Sequence, residues 1–110
     1  MEEFTAFRNA LYAELNELDK ADELGREGRK VVELDQQSVG RLSRMDALQN
    51  QAMAQAQAGR RAARRTAIVA AIGRIDDSTF GLCADCDEPI EPKRLSFDAT
   101  TRLCLDCQRG

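Results

Sequence analysis

Histidine and tryptophan are absent from this 110-residue chain, and four phenylalanines and one tyrosine supply all its aromatic surface. Without histidine, no imidazole acid–base pair or imidazole-activated nucleophile can be assembled, which removes several enzyme classes at once. With so few aromatics and 32% charged residues, the chain cannot fill a large globular core. Its stability has to come from narrow helix–helix seams, a metal or covalent staple, or a partner. No apolar run approaches the ~20 residues that cross a bilayer as a helix. The opening MEEFTAFRNALYAEL lacks the basic-then-apolar order of a signal peptide, so a cytoplasmic protein with no membrane partner is expected. Proline is missing until Pro89, which leaves the first eighty or so residues free to be helical.

What is present fits that freedom. Phe4, Phe7, Leu11, Leu15 and Leu18 recur at steps of three and four, which places them on one face of a helix over about residues 3–24. Gly25 and Gly28 then offer a stop. The following RKVVEL, with two adjacent β-branched residues, reads as an extended connector, with a frayed helical continuation as the alternative. Asp35 is a good N-cap, and Leu34 and Val39 sit at the two positions of a hydrophobic staple, so a second helix is expected over about 36–78. Leu42, Met45, Ala52, Ala56, Ala63 and Ala67 line one side of it, and toward its end the stripe swings to Ile68, Ala71, Ile72 and Ile75. Small residues facing Phe and Leu suit a close antiparallel pair.

The net charge of −3 hides three blocks. Residues 1–35 hold ten acids and five bases, 36–75 one acid and seven bases, and 76–110 eight acids and four bases. If the chain reverses near Ser38, Arg60, Arg61, Arg64 and Arg65 fall opposite Glu14, Glu17 and Asp19, as interhelical ion pairs on a solvated face. A nucleic-acid patch is the competing reading, but no aromatic residue interleaves the arginines as single-strand binding requires.

The four cysteines carry the chemistry. Cys83-x2-Cys86 and Cys104-x2-Cys107 are separated by seventeen residues. Two residues between thiolates allow a tight turn whose sulfurs converge on one ion, and two such turns complete a tetrahedron. All-sulfur ligation favours Zn²⁺, with an iron–sulfur cluster, a redox dithiol and disulfides as alternatives. A thioredoxin-like dithiol needs a βαβ context that is missing here. With every ligand supplied by protein, no position is open for water, so the metal is read as structural and as folding its own module. The intervening DEPIEPKRLSFDATTRL holds both prolines and suits a small ribbon or loop, not a helix.

FGLCADC…PIEPKRL…CLDC resembles the four-cysteine zinc finger of the DksA/TraR regulators of bacterial RNA polymerase. The resemblance rests on Phe80-Gly81 ahead of the first cysteine, Ile90 four residues past the second, Arg94-Leu95 and the closing C-x-x-C. As architecture it extends to the helical pair in front. It implies a non-catalytic factor that binds polymerase and not a DNA sequence. The hairpin tip would enter the secondary channel toward the active site while the globular end holds the rim, with Arg94 a candidate there. Family members alter open-complex lifetime, often with the alarmone ppGpp. The tip pattern of the family, D-x-x-D-x-A, falls here on Asp35, Ser38 and Gly40, so the chain keeps only the first of its three residues; Asp46 is the other carboxylate nearby. Asp87 stands where many relatives have glycine, and the sequence given stops at Gly110, before the C-terminal helix of longer members.

Together these readings predict a mainly α fold, a long antiparallel two-helix hairpin of coiled-coil type over residues 1–79, followed by a small four-cysteine zinc finger over 80–110. The metal ligands are Cys83, Cys86, Cys104 and Cys107 around one Zn²⁺. The partner-binding tip, near 35–41, is Asp35, Ser38, Val39, Gly40 and Arg41, with Asp46. An apolar base of Phe4, Phe7, Ile68, Ile72 and Ile75 sets the finger against the helices. The expected function is a monomeric polymerase-binding regulator. A zinc-ribbon adaptor for another protein or nucleic acid is the alternative, and a dithiol enzyme is the third reading.

Overall fold

The computed structural model describes residues 4–35 and 44–110, the side chains of 26–35 excepted. Among the described residues four helices follow in order: α1 Thr5–Asp35, α2 Arg44–Asp76, α3 Pro92–Phe97 and α4 Leu105–Arg109. Among the described residues the extended structure amounts to one isolated antiparallel bridge, Leu82 to Pro89. The expected class, mainly α with a long helical pair ahead of a small four-cysteine module, holds.

Helix α1 does not stop at Gly25. It runs through Gly28 and the RKVVEL segment to Asp35. Each glycine costs a helix only ~1 kcal/mol against alanine, and two valines cost less; without proline nothing forces an end. Within the described residues α1 reaches Asp35, so Asp35 lies in a helix and does not stand ahead of one as a cap. Within the described residues α2 begins at Arg44; residues 36–43, where an earlier start was expected, lie outside them.

The chain packs as two units, Met1–Leu15 with Arg65–Gly110, and Asn16–Arg64. In the first, Leu11, Ile68, Ala71, Ile72, Ile75, Phe80, Ile90 and Leu95 are buried. Burying each of the larger side chains stabilises by about 1.5–3 kcal/mol, so this small cluster is the main apolar contribution to the fold. Phe80 meets Phe4 and Phe7 with ring centroids 4.9 and 5.4 Å away. The expected apolar base is present, and Arg8 pairs with Asp76 beside it.

In the second unit no described residue is fully buried. Its less exposed positions are Leu18, Ala21, Asp22 and Gly25 on α1, and Ala47, Ala54, Ala58, Arg61 and Arg64 on α2. This corrects the expected face of α2. Met45 is 73% exposed and Ala52, Ala56 and Ala63 are exposed, while Leu42 lies outside the described residues. Alanines occur all round α2, so they give its pattern no phase. The isoleucines at its end fix the phase instead, and counting back from Ile75 and Ile72 through Ile68 at steps of four and three reaches Arg65, Arg61, Ala58 and Ala54.

The pairing expected of Arg61 is corrected too. Arg61 Nε donates to Asp22 Oδ1 at 2.6 Å, not to the Glu14–Asp19 stretch. With the Arg8–Asp76 pair in the other unit, this shifts α2 along α1 by about seven residues from the register expected.

Candidate metal centre

Placement of the cysteines begins where α2 ends. Ser78 N–H donates to the Ile75 carbonyl at 3.3 Å and Thr79 N–H to the Arg74 carbonyl at 2.9 Å. Ser78 carries φ 63. These bonds close the helix in the left-handed manner glycine usually provides, and they satisfy carbonyls the helix leaves open. The chain turns at once into Phe80 and Gly81. Gly81 has φ 84, and a methyl group there would sit 3.8 Å from Leu95 and 4.0 Å from Phe4, so the backbone angle, more than space, demands glycine.

The first cysteine pair then forms on a short backbone ladder. Ile90 N–H donates to Gly81 at 2.7 Å, Cys83 N–H to Glu88 at 2.8 Å, and Asp87 N–H to Cys83 at 3.0 Å. Asp87 closes the turn at φ 62, a left-handed conformation that aspartate tolerates better than most residues do. The segment between the pairs was expected to avoid helix, but it contains α3. Pro92 stands in the first turn of α3, where its fixed φ suits a helix start and its missing N–H costs nothing. An Asx turn follows: Asp98 Oδ1 accepts from Thr100 N–H at 2.9 Å and from Thr100 Oγ1 at 2.8 Å. Ala84 N–H donates to Arg102 at 2.8 Å and joins the first turn to the segment leading into Cys104, which caps α4.

These elements bring the four sulfurs within 4.8 Å of one another. Cys86 and Cys104 are 3.7 Å apart. A tetrahedron with Zn–S bonds of ~2.3 Å has edges of about 3.8 Å, so the donor set fits one Zn²⁺ in size as well as in chemistry. Cys83 and Cys104 are buried, Cys107 half-buried and Cys86 exposed. The electrostatics also call for a cation. The Cys104 backbone N–H, chief among several backbone donors, holds the Cys83 thiol down to about 6 against the opposing effect of burial. Hydrogen bonding with Cys83, then Cys104 and Cys86, pushes Cys107 far up, with burial and repulsion from Cys104 adding to it. Cys86 also rises, because its contact with Cys83 and its burial together outweigh the Glu88 backbone bond that lowers it. Four thiols this close cannot all ionise unless a divalent cation sits among them.

Sequence reasoning missed the side chains that brace this centre. Arg94, the candidate rim contact, is engaged inside the module: its Nη2 donates to the Leu103 carbonyl at 3.2 Å and to Gln108 Oε1 at 3.0 Å. Arg74 Nη2 reaches the Thr100 carbonyl at 3.3 Å, and burial, then the neighbouring Arg102, draws its pKa below the ordinary arginine value. Of the expected tip residues, Asp35 is the last described residue of α1 and Ser38, Val39, Gly40 and Arg41 lie outside the described residues. Asp46 is exposed in the first turn of α2, where a carboxylate favours the helix dipole.

Residues 78–110 match the family described as prokaryotic dksA/traR C4-type zinc finger. Among solved structures, that of transcription factor DksA2 from Pseudomonas aeruginosa is similar, with a TM-score of 0.76 and 23% identity over 94% of this chain and 78% of that one. No curated protein sequence is significantly similar to the chain. No helix among the described residues is long and apolar enough to cross a membrane. The C-terminal module is a four-cysteine zinc finger of the DksA/TraR type, carried on a fold shared with a DksA-type factor.

Proposed function

We propose that this protein is a non-catalytic regulator of bacterial RNA polymerase that works from the secondary channel. One observation carries the reading: a finger matching the DksA/TraR type, residues 78–110, occurs within a chain that shares the fold of a DksA-type transcription factor over 94% of its length. In this reading residues 1–79 form the probing hairpin and residues 80–110 the finger at its base. Asp35, Ser38, Val39, Gly40 and Arg41, with Asp46, face the catalytic region of the polymerase. The protein acts as a cytoplasmic monomer and recognises the enzyme without reading a DNA sequence, and ppGpp joins at the polymerase interface.

Zinc supplies no chemistry to a reaction here. It would be held by Cys83, Cys86, Cys104 and Cys107, and it locks two backbone turns together. The chain's own residues do the rest. Phe80 joins the finger to the start of α1, and the isoleucines at the end of α2 seat it.

The test is transcription in vitro with purified polymerase, alongside retention of polymerase on immobilised protein. Wild type is expected to retain polymerase and to change open-complex lifetime. Asp35→Ala is expected to retain polymerase and lose the effect on lifetime, and Cys83→Ser to lose both. Zinc-loaded wild type that neither retains polymerase nor alters lifetime would overturn the proposal, and binding to other macromolecules alone would favour the adaptor reading.

A further inference from the structure

The two halves of the zinc centre are held by different means. Backbone bonds close the first turn on itself, through Cys83 to Glu88, Asp87 to Cys83 and Ile90 to Gly81. The second pair rides on α4, which has only five residues and no side-chain cap bond at Cys104. A helix so short does not hold its own geometry in water. Its backbone bonds include Gln108 N–H to the Cys104 carbonyl at 3.0 Å and Gly110 N–H to the Asp106 carbonyl at 3.2 Å.

Arg94 reaches both ends of that pair. Leu103 directly precedes Cys104 and Gln108 directly follows Cys107, and one guanidinium nitrogen donates to both. The guanidinium is itself fixed. It stands on α3, whose Leu95 is buried, its Nε lies 3.6 Å from a Glu91 carboxylate oxygen, and its side chain is 26% exposed. A planar, always-charged fork keeps such a double contact better than a flexible ammonium.

We infer that Arg94 is a positioning residue for zinc: it brackets Cys104 and Cys107 so that their sulfurs stay on the ion, and it thereby slows loss of the metal from that half of the site. The inference rests on the zinc finger reading and is independent of whether the protein binds polymerase. Groups that orient metal ligands from outside the coordination sphere typically change metal affinity by ~10–100-fold when removed.

The experiment follows zinc release from the full-length, zinc-loaded protein into excess 4-(2-pyridylazo)resorcinol, with amide exchange recorded on the same samples. Arg94→Gln is expected to release zinc at least ~10-fold faster. Lys93→Gln, an exposed change on the same helix, is expected to match wild type. In Arg94→Gln the Gln108 amide should exchange faster while the Cys83 amide keeps its wild-type rate. Should Arg94→Gln fail to fold, Gln108→Ala decides, since it removes one of the two contacts and is expected to speed release about 3-fold, half on a logarithmic scale of the ~10-fold expected for losing both. Release rates within about twofold of wild type would overturn the inference, being far below the range for such outer groups. Equal acceleration of the Cys83 and Gln108 amides would overturn it too, because Arg94 would then support the whole module alike.

Discussion

Phe80 meets Phe4 edge to face, ring centroids 4.9 Å apart and planes inclined at 67°. That contact joins the start of α1 to the first residues of the finger, and Phe7 adds a second ring at 5.4 Å. Phe80 is buried. Its replacement by alanine should cost about 3 kcal/mol or more, from lost transfer energy, the cavity and two ring contacts. Denaturant unfolding of zinc-loaded protein measures it; a loss below about 1 kcal/mol would deny Phe80 that role.

Ser78→Gly should stabilise. Ser78 holds φ 63 just past the end of α2, and a side chain in that region costs ~1–2 kcal/mol that glycine avoids. Glycine's larger loss of backbone freedom offsets part of the gain, so about 0.5–1 kcal/mol is expected. Ser78→Val should move stability the other way, and a thermal melt reads both.

Gly59→Ala and Gly73→Ala should each add about 0.5–1 kcal/mol. Both lie inside α2, and an added methyl group would meet nothing within 4 Å at either place. The check is a rise in melting temperature at unchanged helix content by circular dichroism. A fall would reveal a neighbour that either glycine accommodates.

Asp22 and Arg61 should couple. Their side chains are 27% and 21% exposed and only 2.6 Å apart, so water screens them less than a surface pair. A double-mutant cycle with Asp22→Asn and Arg61→Gln should return about 1 kcal/mol, shrinking in high salt. The same cycle between Glu14 and Arg61, which the expected register would have joined, should return a smaller coupling.

Zinc uptake should release protons. Thiolates and not thiols hold the ion, and in the folded site Cys86 and Cys107 stand above the ordinary thiol value. Binding must therefore expel thiol protons, so apparent affinity rises with pH through neutrality and falls in acid. Titration calorimetry in buffers of different ionisation heat measures the release, and a heat of binding independent of buffer would contradict it.

The metal centre was legible because C-x2-C spacing is a local property: two residues decide where a pair of sulfurs points. The face of α1 was legible for a similar reason, since Phe4, Phe7, Leu11, Leu15 and Leu18 are large and mark their phase clearly. The face of α2 was not, because alanines on every side leave the phase to the distant isoleucines. Its pairing with α1 followed from a turn placed near Ser38, which rested on Gly25 and Asp35 acting as helix ends. Gly25 proved weaker than the tendency of an uninterrupted helix to continue, and Asp35 lies inside that helix. Pro92 misled in the opposite direction, since the same fixed φ serves a turn or the first turn of a helix. Nothing local foretold that Arg94 would reach Leu103 and Gln108, because that depends on how α3 and α4 are set.

Among the sheltered positions of α1, 7, 11, 14, 18, 21 and 25 alternate steps of four and three, and among those of α2 so do 54, 58, 61, 65, 68, 72 and 75. A spacing that averages 3.5 returns to the same side of a helix every seven residues. Length is thereby quantised within each helix: excising one seven-residue block would leave its remaining sheltered positions on one face, whereas excising four or five would turn those beyond the cut to another face.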